Sequence, residues 1–100
     1  MQDAVVKLVG LGKFPSYEDK DVSREIVEQY EAAIRAISRP VSDEEAIALC
    51  RLFGPDDFFG MAWTVLHSVE TARGWPIAEA LAAANDPWRE ALSHRLRNVE

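Results

Sequence analysis

The chain has 100 residues, 48% of them hydrophobic and 28% charged. That length and balance build one globular domain, 1–100, with a single core, and exclude a two-domain, disordered or low-complexity chain. The first fifty residues hold ten acids and six bases, the second fifty seven and five, for a net charge of −6, so no basic stripe is present to neutralise phosphates and nucleic acid is not an expected partner.

One cysteine, Cys50, cannot form an internal disulfide and fits a reducing compartment. No apolar run approaches the roughly 18 residues of a membrane span. The N-terminus lacks the basic segment and long apolar stretch of a secretion signal, so a soluble cytoplasmic protein with no membrane partner is expected.

Residues 3–11 are apolar almost all round. Their valines permit a strand, but no second strand candidate exists to pair with it, so a short helix is favoured. Residues 22–39 form the cleanest amphipathic pattern. Val22, Ile26, Val27, Tyr30, Ala33, Ile34 and Ile37 share an arc of about 140°, with Asp21 placed to cap the start and Pro40 to stop the end. A capping box opens the next helix, 43–53: Ser42 accepts from the backbone of Glu45, which reaches back. Gly54 reads as its left-handed terminator. Asp56 caps a third helix, 57–73, whose apolar arc of about 200° runs from Phe58 to Val69 and marks it as the central helix. Trp75-Pro76 restarts the chain, with Pro76 in the first turn of a helix 77–84. Asp86-Pro87 repeats that signal for a last helix, 87–98, with Trp88, Ala91, Leu92, Leu96 and Val99 on its apolar face. The fold class is therefore all-α: a bundle of five to six short helices joined by short loops.

Chemistry-bearing residues are sparse. His67 has no histidine or cysteine at metal-ligand spacing, so no metal site and no cofactor are expected. With Glu70 and Trp63 it outlines a small pocket on one helix, the basis of an enzymatic or ligand-binding alternative. Glu70 falls inside the apolar arc, where an unpaired carboxylate is costly. Either the arc opens to solvent there, or one of Arg51, Arg73 and Arg89 covers it. Gly60, Thr64, His67, Ser68 and Thr71 form a stripe of small polar side chains that admits a close neighbour, from the bundle, from a partner or from a second copy in a scaffolding homodimer. Phe58, Phe59 and Trp63 read as core. Trp75 and Trp88 sit at loop–helix junctions, where they either lock the C-terminal helices onto the bundle or, with Phe14 and Tyr17, outline an aromatic anchor of the kind interfaces use. Cys50 reads as a small core residue.

The acids gather in three places: Glu25, Glu28 and Glu31 on one helix face, Asp43, Glu44 and Glu45 at one helix start, and Asp56 and Asp57 at another. Capping and the helix dipole favour acids at helix starts. If the two starts adjoin, their five acids make one anionic rim.

The run from Pro40 to Ala46, Phe53-Gly54-Pro55-Asp56-Asp57-Phe58-Phe59-Gly60-Met61-Ala62-Trp63-Thr64, Leu66-His67 and Glu70-Thr71-Ala72-Arg73-Gly74-Trp75-Pro76 resembles small helical actinobacterial proteins of uncharacterised function. The resemblance covers about a third of the chain and brings no catalytic residues with it. In size, acidity and helical class the chain is also similar to the immunity proteins of bacterial toxin systems, an analogy of class alone. A non-enzymatic module that occludes a basic toxin or enzyme is the expectation. Its acids would steer the partner and Trp75 would anchor it.

Overall fold

The computed structural model describes residues 1–97, and the N-terminal stretch is a helix: α1 spans Asp3–Leu11. Val5 and Leu8 point inward while Val6 and Val9 stay exposed. Five more helices follow, α2 (Arg24–Arg35), α3 (Asp43–Cys50), α4 (Met61–Val69), α5 (Ala78–Ala83) and α6 (Trp88–Arg97), with no strand among the described residues. The all-α expectation holds. Residue 98, the expected end of the last helix, and Val99 on its apolar face lie outside the described residues.

The helices are shorter than their apolar patterns, for local reasons. Ser23, not Asp21, caps α2 by accepting from the Ile26 amide at 3.2 Å. Asp21 instead gives its own amide to Asp19. The capping box of α3 is complete in both directions, Ser42 Oγ to Glu45 N at 3.1 Å and Glu45 Oε1 to Ser42 N at 2.8 Å. Gly54 is not a left-handed terminator; positive φ among the glycines occurs at Gly12 and Gly60. Its reason is space: a Cβ at position 54 would collide with the carbonyl of Phe14. Pro76 precedes the α5 cap, Ile77, so it lies outside the helix it was expected to open.

α3, rather than α4, takes the middle, packing on α1, α4 and α5, while α4 packs on α2 and α3. The α3 sequence signalled this, since its apolar residues cover more than half the wheel. The core runs from Val5 and Leu8 through Leu49, Phe53 and Val65 to Leu92, all without exposed surface. The Tyr30 hydroxyl stitches the loop after α1 to α2, lying 2.8, 3.0 and 3.1 Å from the carbonyls of Leu11, Gly12 and Lys13. No helix among the described residues is long and apolar enough to cross a membrane.

Candidate functional site

Of the five acids expected to form a rim, Asp43, Glu45 and Asp56 are spent on the fold. Glu45 is 5% exposed and takes the Gln2 amide at 2.7 Å as well as closing its capping box. Burial works against its charge, but hydrogen bonds from Ser42 and Gln2 outweigh that and hold its carboxyl below the ordinary value. Asp56 is held low in the same way: burial opposes, while the Ser16 hydroxyl at 2.6 Å and the Phe58 and Tyr17 amides win. Asp43 accepts from the Gly74 amide at 2.8 Å. Asp43, Glu45 and Asp56 thus tie down three separate segments. Glu44 and Asp57 remain exposed, as does Glu25 on α2. Glu28 and Glu31 pair with Arg24 and Arg35, each at 3.3 Å and in solvent, where such pairs contribute little.

The structure also settles what covers Glu70. It is none of Arg51, Arg73 and Arg89, but Arg95 on α6, which grips both carboxylate oxygens at 2.6 and 2.9 Å. Arg89 caps the end of α5 instead, donating to the carbonyls of Leu81, Ala82 and Ala84. His67 Nδ1 lies 3.6 Å from Glu70 Oε1 with its ring half in solvent. A carboxylate with both oxygens on an arginine is a structural clasp between α4 and α6. The polar stripe divides: Ser68 is buried and Thr71 accepts from the Val41 amide at 3.1 Å, while Thr64 and His67 face solvent. No cluster of three His, Cys, Asp or Glu among the described residues has the arrangement of a metal site.

Of the two roles open to the junction aromatics, packing onto the bundle prevails over an exposed anchor. Phe14 and Trp88 are buried and Trp75 packs half-buried against the core, leaving only Tyr17 of that set exposed. The aromatics that do face solvent are Phe59 at 61% exposure, Tyr17 at 49% and Trp63 at 43%. Phe59 and Trp63, core residues by their helical spacing, are therefore on the surface instead.

The backbone of residues 58–60 produces the display. Phe58, Phe59 and Gly60 are all left-handed, with φ of 45°, 58° and 84°, so the expected helix 57–73 begins only at Met61. A bulky side chain in this region costs on the order of 1–3 kcal/mol. The reversal drives the Phe58 ring inward against Phe14 and Tyr30, with centroids 5.7 and 5.3 Å away. It turns Phe59 outward, edge to face with Tyr17 at 6.1 Å. One turn on, Trp63 stands on the buried indole of Trp88 at 5.0 Å and 73°, and Trp88 stacks on Phe53 at 5.2 Å. Beside Phe59 a groove of about 280 Å³ opens between α2 and α4, lined by Ile34, Met61 and Thr64 with Glu31 and Arg35 at its edge.

The sequence bears on Trp63 only indirectly: Glu70, seven residues on, shares its edge of the α4 wheel, and a carboxylate there fits either an opening to solvent or a covering arginine, of which the structure shows the second. Nothing local announced the outward turn of Phe59. Comparison with protein-family models, characterised proteins and solved structures finds no match for the chain.

Proposed function

We propose that this chain is a non-enzymatic protein-binding module that docks a basic partner through Tyr17, Phe59 and Trp63. It would act by covering the partner's working surface, as an immunity or antitoxin-type inhibitor covers a toxin or enzyme. The observation that carries this reading is Phe59: a phenyl ring held in solvent by left-handed backbone that disfavours it. Burial of Phe58 against Phe14 and Tyr30 offsets the strain of the turn, but the Phe59 ring itself gains little burial in the isolated fold, whereas a partner that covered it would add that gain. Trp63 adds a second anchor, preorganised on Trp88, and aromatic anchors dominate binding energy at interfaces. The net charge of −6 favours a basic partner and fast, salt-sensitive encounter. Trp75, half-buried on the core, has less surface to offer than these three.

The test begins with affinity capture from native extract at low and then moderate salt, with mass spectrometry of what stays bound. The purified partner is then titrated against the wild type and Trp63→Ala. A basic partner whose affinity drops at least tenfold with Trp63→Ala, and whose association slows as salt rises, is the expected result. Equal affinity for both proteins, or a chain that only self-associates through this face, overturns the proposal.

A further inference from the structure

We infer that the corner between the Tyr17 and Phe59 rings is the seat of an arginine side chain of the partner. This rests on the docking reading above and names what its outer edge recognises. The two rings meet at 66° with centroids 6.1 Å apart, so a cation in the corner lies within reach of both π faces. A planar guanidinium stacks on such faces where a lysine ammonium remains strongly hydrated.

Charge on the Tyr17 side of the corner is negative, and Arg35 in the groove beside Phe59 is paired with Glu31. Asp56 lies under the Tyr17 amide at 3.3 Å, Glu18 adjoins Tyr17 and exposed Asp57 adjoins Phe58. Their field is felt at the phenol itself: hydrogen bonding and charge from Glu18, with the charges of Asp56 and Asp57, hold the Tyr17 hydroxyl above its ordinary range. The ring positions are built in, because the left-handed turn holds Phe59 outward and Asp56 ties the Ser16–Tyr17 loop to it.

The probe is the peptide acetyl-Leu-Arg-Leu-amide, titrated against the full chain while the ring resonances of Tyr17 and Phe59 are followed by NMR. Its counterparts carry citrulline, which keeps the shape and loses the charge, or lysine. Expected are saturable shifts confined to Tyr17, Asp57 and Phe59, with citrulline and lysine peptides binding about fivefold or more weakly. Tyr17→Leu and Phe59→Gly should each abolish the shifts, and Phe59→Gly should melt no lower than the wild type because glycine relaxes the turn. No saturable shift, equal binding of the citrulline peptide, or shifts centred on Glu25 and Glu28 would overturn the assignment. With the captured partner, loss of affinity in Trp63→Ala but none in Tyr17→Leu sinks the arginine seat alone. No loss in either sinks the docking face with it.

Discussion

Cys50 shows how completely a residue's chemistry is set by its surroundings. Burial pushes its thiol up to about 12, so the native protein should not react with a thiol reagent at pH 8, whereas the denatured chain should react at once. An unfolded thiol ionises near its ordinary value of about 8.5. Stability is therefore unaffected below that pH and falls as the pH climbs toward 12, because only the unfolded chain releases the proton; Cys50→Ala should flatten this decline in a pH series of urea melts. The acid side has its own pair. Glu45 and Asp56 are held below their ordinary values, so their contribution is present above those values and fades as the pH falls through the lowered ones. Glu45→Gln and Asp56→Asn should each lower stability at pH 7 and lessen its loss below about pH 4. The burial of Cys50 and the capping role of Glu45 were legible from spacing alone. Asp56 is not the helix cap its position suggests, since α4 begins at Met61 with Gly60 as its cap; it accepts instead from the Phe58 amide and from Ser16, forty residues away, and no local pattern encodes that grip.

Among the elements, the turn before α4 and the glycine before it carry the sharpest consequences. Gly54 is buried with its α-carbon against the Phe14 carbonyl, so Gly54→Ala should cost about 2–3 kcal/mol, seen as a lower urea midpoint with an unchanged slope. The element types were legible because helical periodicity and caps are local: the Ser42 box is the clearest case. The ends were less so. An apolar run through Phe58 and Phe59 looks helical on a wheel, but the three successive left-handed residues answer to a tertiary demand, the slot for Phe58 between Phe14 and Tyr30. Arg95 was missed as the cover for Glu70 for the same reason: it comes from α6, twenty-five residues on.

At the scale of the whole molecule, Asp43, Glu45, Asp56 and Glu70 tie segments together, while three aromatics, Tyr17, Phe59 and Trp63, face outward. Acidity still sets the long-range field, since ion-paired and hydrogen-bonded carboxylates keep their charge. Raising salt should therefore slow association with a basic partner several-fold while leaving its dissociation nearly unchanged, a split that stopped-flow mixing reads directly. The all-α class was legible from the absence of any second strand candidate. The exposed aromatic face was not, because a helix wheel ranks residues by angle and says nothing about where the neighbouring helices run out.

The contact between Trp63 and Trp88 has an optical side. Two indoles 5.0 Å apart and inclined at 73° have electronic transitions close enough to couple, and coupled chromophores in a chiral frame give a paired positive and negative band in circular dichroism. One ring of the pair is half in solvent and the other is in the core. The band would report at once on the intact fold beneath and on whatever settles on the surface above. A partner that tilts Trp63 would change it without any label, and Trp63→Phe, which keeps the apolar contact, would erase it.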